Sequence, residues 1–259
     1  MKVYISTDLE GISGVLTFQQ TGRDEKGQEY EKARHLLTQD VNAAVDGAIS
    51  GGAEEVVVMD GHSSGFNFFI EELDPRASYI MGPGRVDICP GLDESFDAVL
   101  LVGFHAMAGT KGGILDHTQS STTWLNYYVN GIKMGEIGQQ SLIAGHFNIP
   151  VIFVSGDKAT CEEAKQLLGN IETVAVKEGF TRNCAKILSP KKTKELIKEG
   201  VARAIKRIKD FKPYIIKPPL EIKIELQNTD VADRYERMEW KRIDGRTVLK
   251  VVDSALKIL

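Results

Sequence analysis

Two rhythms of apolar and polar residues run through this chain, and they predict its elements. Val3, Ile5 and the flanking Tyr4 form a short apolar run that stops at Gly11, as a buried strand does. Over residues 29–49 the apolar positions fall at helical intervals (Ala33, Leu36, Leu37, Val41, Ala44, Val45, Ala48) and stop at Gly51-Gly52. Residues 56–59, 78–81 and 97–103 predict further strands, and 151–154 another that leaves through polar Ser155, Gly156 and Asp157. Asn130-Gly131 between 124–129 and 132–134 is a two-residue hairpin signal. Helices are expected over 137–147, 159–168 and 191–209, the last strongly basic on its solvated face. Residues 21–28 form a polar, glycine-containing stretch expected to be an exposed loop, and 211–219 a proline-containing linker. Beyond it, 221–226 alternates as a half-exposed strand, and 239–252 predicts a hairpin turning at Asp244-Gly245.

Strand, helix and strand joined by short connections is the pattern of an α/β fold, a mostly parallel sheet flanked by helices. The change of texture past Pro190 predicts a smaller C-terminal α+β subdomain. The expected division is 1–180, a metal-binding catalytic domain, and 181–259, a subdomain contributing to assembly.

The totals narrow the classes. A chain of 259 residues with 42% hydrophobic and 26% charged residues is ordinary for a globular protein with a sizeable core. A net charge of -4 argues against nucleic acid or an anionic membrane as the main partner. Neither a secretory signal nor an apolar run near the ~20 residues of a membrane span is expected. The three cysteines, Cys89, Cys161 and Cys184, have neither metal nor disulfide spacing, which suits a reducing cytoplasm.

Candidate chemistry gathers at strand ends. Asp8 and Glu10 stand at i and i+2 after the first strand, so both carboxylates face one side, and such a pair persists best around a cation. His62 and His105, two of only five histidines, each follow a buried strand. In open α/β sheets, ligands bind in the crevice beyond the carboxyl ends of the strands. That would gather Asp8, Glu10, Asp60, His62 and His105, with Glu136 joining if the hairpin folds over the edge. Two imidazoles and three or four carboxylates suit two zinc ions, with Asp8 bridging, Glu10 and His62 completing one shell, and His105 and Glu136 the other. Each residue also has a plainer reading. His62 can be a loop residue with a satisfied imidazole, His105 a core histidine, and Glu136 a carboxylate favouring its helix dipole. Asp60 suits orienting an imidazole. His35 and His146 sit on helices and are read as structural. His117, in the glycine-flanked loop 112–118 beside Asp116, can bring an imidazole to a substrate for proton transfer or oxyanion stabilisation, or can be an ordinary loop residue.

Several ordered motifs complete the picture: Ser6-Thr-Asp-Leu-Glu-Gly11, Asp60-Gly-His62, Gly103-Phe-His-Ala-Met-Ala-Gly109, Leu115-Asp-His-Thr118, Gly135-Glu-Ile-Gly138 and Ser155-Gly-Asp157. This order resembles the DppA-type zinc D-aminopeptidases over roughly residues 1–160, and more loosely at 244–248. The resemblance implies two zinc ions per subunit held by Asp8, Glu10, His62, His105 and Glu136, and a catalytic role for His117. It also implies short peptides with an N-terminal D-residue such as D-alanine as substrates, and a homo-oligomer, a ring-like decamer. Two positions depart from the family pattern: Phe104 stands where Tyr is common, and Gly-His-Ser-Ser-Gly replaces Ser-His-Gly. The expected function is a cytoplasmic zinc aminopeptidase in which metal-activated water attacks the peptide carbonyl. An L-aminopeptidase or small-amide amidohydrolase on the same scaffold is the alternative, and a non-catalytic metal-binding protein the rival of another class.

Overall fold

A computed structural model describes residues 1–22 and 27–259. The first half of the chain builds β1 (Lys2–Thr7), α1 (Gln28–Gly51), β2 (Glu55–Asp60), β3 (Ser78–Ile80) and β4 (Ala98–Phe104). The hairpin β5 (Trp124–Val129) and β6 (Ile132–Lys133) follows, then α2 (Glu136–His146), β7 (Val151–Asp157) and α3 (Lys158–Leu168). The chain continues through β8 (Glu172–Thr181), β9 (Cys184–Ile187), α4 (Pro190–Lys206), β10 (Leu220–Leu226), α5 (Thr229–Arg237), β11 (Lys241–Arg242) and β12 (Thr247–Val252).

Seven strands form one sheet in the order β3-β2-β1-β4-β7-β8-β9, parallel except for the last pair. Its central strands are buried on both faces, which is why β1 and β4 read as continuous apolar runs rather than alternations. One face packs on α1 and α4, through Leu37, Val41, Ala44, Ile197 and Val201. The other packs on α2, α3 and a second, antiparallel sheet of order β11-β12-β10-β5-β6, through Ile137, Leu142, Ala164, Tyr127 and Ile222. The second sheet thus takes its hairpin from residues 124–133, while β9 and α4 stay with the larger sheet and its covering helices.

Chain order reverses between β1 and β4: α1, β2 and β3 lead to one side of β1, and β4 returns on the other. Thr7 sits level with Asp60 of β2 and with Val102 of β4, so the loops leaving these strands start at one height. Two glycines let them touch. A Cβ on Gly11 would lie 1.9 Å from the Phe104 carbonyl oxygen, and one on Gly103, whose φ is 77°, 2.2 Å from that of Asp8. Asp8 and Gly11 donate backbone hydrogen bonds to Val102 and Gly103, extending the β1–β4 pairing past the strand end.

Most expected elements form, with three local differences. Ser155, Gly156 and Asp157 are buried strand residues rather than a polar exit, and Asp157 caps α3 by accepting from the Thr160 amide. The apolar pattern does not predict β8, β9 or α5. α5 buries only Val231 and Ala232, too few for a helical apolar stripe to show. In the expected exposed loop 21–28, Thr21 is instead buried at the end of a 3-10 turn, and residues 23–26 lie outside the described residues.

Candidate metal centre

Five predicted ligands converge in the crevice at the chain reversal. Asp8 and Glu10 follow β1, His62 follows β2, His105 follows β4, and Glu136 opens α2, delivered there by the β5–β6 hairpin. The hairpin turn is made by Asn130 and Gly131 at φ 48° and 78°, the left-handed pair that a two-residue turn needs. All five side chains are nearly closed to solvent, with 1 to 15% of their side-chain surface exposed.

Asp8 stands between two groups. His62 Nδ1 lies 3.0 Å from Asp8 Oδ1 and 3.0 Å from Glu10 Oε2. His105 Nε2 lies 3.3 Å from the other oxygen, Asp8 Oδ2, and 3.2 Å from Glu136 Oε1. The second nitrogen of each ring faces a backbone carbonyl: His62 Nε2 that of Thr21 at 2.9 Å, and His105 Nδ1 that of Ala106 at 3.0 Å. Those carbonyls can only accept, so they fix the tautomers and leave both inward nitrogens with lone pairs for a metal. Among the described residues, Asp8 Oδ2, Glu10 Oε2 and His105 Nε2 are shut off from solvent yet make no hydrogen bond. Orphaned atoms are costly, and divalent cations bound between these side chains would satisfy them. Oxygen and imidazole nitrogen are the donors zinc takes, so the residues fit the ion.

The electrostatics describe a site built around positive charge. Burial, then the neighbouring Glu10 carboxylate, pushes Asp8 up to about 7. Burial also opposes ionisation of Glu10, but His62 outweighs it and holds Glu10 well below the usual range. Glu136 is likewise held near 2, burial being outweighed by His105. Both imidazoles are pulled well above their ordinary value in spite of burial, His62 chiefly by Glu10 and His105 chiefly by Glu136. Without a metal, protons on these rings supply the missing positive charge, and an entering cation must displace them.

His117 is placed differently. Its ring stacks on His105 at 3.9 Å and 10°. Nδ1 faces the Leu115 carbonyl at 2.8 Å, which Leu115 presents by adopting φ 53°, and Nε2 lies 3.9 Å from Glu136 Oε1. Burial, then His105, lowers its pKa, so the ring is a neutral imidazole with Nε2 as its free base. Its loop is strapped down: Asp116 accepts from Arg182 and from the Gly109 amide, and the Leu115 amide donates to the Arg182 carbonyl. Two triads, His105 with His117 and Glu136, and Asp8 with Glu10 and His105, each offer ligand atoms within 4.8 Å of one another.

Asp60 does not orient an imidazole. Its carboxylate accepts from the Asn67 amide and side chain, and Asn67 in turn donates to the His62 carbonyl, so Asp60 shapes the His62 loop. His35, stacked on Phe69 and paired with Glu72, and His146, at the end of α2, stand apart from the site as expected.

Lys177 on β8 was missed; its one signal is a lysine within the run Thr-Val-Ala-Val-Lys. It is 3% exposed, and Nζ donates to the carbonyls of Glu10, Ile12 and Val15 at 2.5, 2.8 and 2.6 Å. Burial pushes it down to about 7 against the pull of Asp157 and Glu10. Three acceptors need three donors, which only the charged ammonium has, so the geometry assigns the charged form. It curls the 10–15 loop and thereby aims Glu10. Lys177→Met should destabilise the protein by roughly 3 kcal/mol or more, through carbonyls left unsatisfied. It should also weaken zinc binding ~10–100-fold, as loss of a ligand's support does. Thermal unfolding and a zinc titration would check this; an unchanged affinity would mean that Lys177 does not position Glu10.

The site opens into a cavity of about 370 Å³ walled by Phe18, Thr21, Ser63, Arg85, His117, Gln119, Ser120 and Ser121 beside Asp8, Glu10, His62 and Glu136.

Comparison with known proteins places this geometry in context. A sequence model of a family described as D-aminopeptidase matches residues 1–259. A D-aminopeptidase of Bacillus subtilis (strain 168) is 34% identical over 253 residues, 96% of this chain and 88% of that protein. The structure of the Zn-dependent D-aminopeptidase DppA from Bacillus subtilis, described as a self-compartmentalizing protease, superposes with a TM-score of 0.95 at 32% identity, covering 100% of this chain and 94% of that one. The α/β architecture expected from the sequence is therefore that of a solved relative.

Proposed function

The chain belongs to the D-aminopeptidase family, and from that premise we propose that it releases N-terminal D-amino acids, such as D-alanine, from short peptides at a two-zinc site. One observation carries the dinuclear reading. The two oxygens of Asp8 face opposite ways, Oδ1 toward His62 beside Glu10 and Oδ2 toward His105 beside Glu136. A carboxylate so placed would be shared by two ions, with Glu10 and His62 holding one, and His105 and Glu136 the other.

Zinc bound there supplies Lewis-acid polarisation of the scissile carbonyl and a water acidic enough to act near neutral pH. The protein's own groups do the rest. Nε2 of His117, held free by the Leu115 carbonyl, takes a proton from the attacking group and returns it to the departing amine. Stacking on His105 keeps that nitrogen at the cavity wall, and Phe18, whose ring lies 5.7 Å from His117, closes the outer side. The unpartnered Ser121 hydroxyl, with Ser63, Gln119 and Ser120, suits a small, polar peptide backbone.

By analogy with the self-compartmentalizing relative, the protein is read as a homo-oligomer, with a ring-like decamer as the specific proposal and the second sheet contributing to assembly. Among the described residues no helix is long and apolar enough to cross a membrane, and a cytoplasmic location accords with the unpaired cysteines.

Hydrolysis of D-Ala-D-Ala and L-Ala-L-Ala by zinc-loaded protein, side by side, tests the activity. Turnover of the D-peptide that a chelator abolishes and zinc restores is expected. Preference for the L-peptide would sink D-specificity, and cleavage of neither would favour small non-peptide amides.

A further inference from the structure

Arg85 feels a longer-range attraction to the buried Asp60 carboxylate but is seated against no acidic side chain among the described residues. It makes no ion pair with any described carboxylate. Arg34, Arg76, Arg182, Arg203, Arg207 and Arg242 each sit against an Asp or Glu, and the other described arginines without an ion pair, Arg234, Arg237 and Arg246, are exposed to solvent. Arg85 is half-buried and lines the cavity over the metal centre, where it is the one permanently charged cation among the described lining residues. The other ionisable side chains among the described lining residues are carboxylates and imidazoles.

Its position is fixed by neutral groups. Nη1 donates to the Asp60 carbonyl at 2.7 Å and Nη2 to the Ser63 carbonyl at 2.5 Å. Ser63 takes φ 46°, in the left-handed region, where its carbonyl meets the guanidinium. The Gly82 amide, three residues before Arg85, donates to the Gly65 carbonyl at 2.9 Å, tying the arginine's segment to the His62 loop. With a long Nη1 contact to Met59 Sδ at 3.9 Å, they occupy up to three of the five guanidinium N–H groups and set no described carboxylate directly against the charge. A guanidinium set rigidly at the mouth of an acidic cavity, with donors to spare, is suited to a carboxylate.

We propose that Arg85 forms a subsite for the free C-terminal carboxylate of the peptide, which makes the enzyme selective for very short peptides with an unblocked C-terminus. The inference rests on the aminopeptidase reading above and names its substrate class more closely. A di- or tripeptide lies with its leaving residue toward Arg85 and the His62 loop, and its N-terminal residue toward Gln119, Ser120 and Ser121. Longer peptides carry their carboxylate beyond reach of Arg85 and lose the contact.

The test compares D-Ala-D-Ala with its C-terminal amide, on zinc-loaded wild type and on Arg85→Gln. Wild type should favour the free acid by roughly tenfold or more in kcat/KM, through KM, as loss of a charge-assisted hydrogen bond predicts. In Arg85→Gln the acid-to-amide ratio should fall toward one, with zinc content still at the wild-type level, and Arg85→Lys should restore part of it. Equal use of acid and amide by wild type would overturn the subsite. So would an Arg85→Gln protein that keeps the wild-type ratio, because Arg85 would then only brace the His62 loop. Failure of wild type to cleave either peptide would instead sink the aminopeptidase reading, and this subsite with it.

Discussion

His117→Ala should keep its zinc and lose kcat on D-Ala-D-Ala by ~10²–10⁴-fold, the range that a positioned acid–base group supplies. The imidazole is held on every side by groups that do not need a metal: the Leu115 carbonyl at Nδ1, the stacked His105 ring and the Phe18 edge. Nε2 is left 3.9 Å from the Glu136 carboxylate, farther than either inward nitrogen of His62 or His105 from its carboxylates. That placement suits the proton carrier proposed for this residue. The pH profile should agree. Burial, then His105, lowers the His117 pKa below its ordinary value, so its basic form persists below the usual histidine midpoint of ~6.5. The acid limb contributed by His117 then falls below that pH. Metal analysis separates the roles: if His117→Ala loses zinc along with activity, the residue is a ligand and not the proton carrier.

The second large effect is expected at Asp8. Asp8→Asn keeps shape and volume but replaces a charged oxygen with an amide nitrogen on one side of the bridge. Zinc content should fall from two ions to one or none, and turnover should fall at least as far as in His117→Ala. Stability of the metal-free protein should move the other way, and its sign follows from linkage. The Asp8 carboxyl, raised by burial and by Glu10 to about 7, keeps its proton to higher pH when folded than unfolded. Such a raised acid contributes stability at low pH and loses it as pH climbs from ~4 to about 7. Asp8→Asn removes that loss, so above pH 7 the metal-free variant should melt higher than metal-free wild type. Wild type should regain the lead only when zinc is added. A variant that melts lower without metal would mean that Asp8 is structural.

What the sequence revealed about this site follows from where each residue sits. β1, β2 and β4 are legible because strands covered on both faces must be apolar throughout, so their ends, and Asp8, Glu10, His62 and His105 beyond them, can be located along the chain. That these ends meet depends on the strand order, which short connections and the α/β pattern make the natural choice. Glu136 was legible through Asn130-Gly131, a turn strict enough to fix a hairpin. α5 hid because a short, half-exposed helix needs few apolar residues. Lys177 and Arg85 hid for another reason: both act on backbone carbonyls, Lys177 on residues more than 160 positions away, and a carbonyl leaves no mark in the sequence. Thr21 reads as exposed for the same cause, since its carbonyl, not its side chain, meets His62.

If Asp8 bridges two zinc ions as proposed, anomalous diffraction at the zinc edge from zinc-loaded crystals will locate both. Two peaks ~3.5–4 Å apart are expected, one on each side of the Asp8 carboxylate, the first within bonding reach of Glu10 and His62 and the second of His105 and Glu136. A single peak, or a pair in which Asp8 touches only one ion, would contradict it.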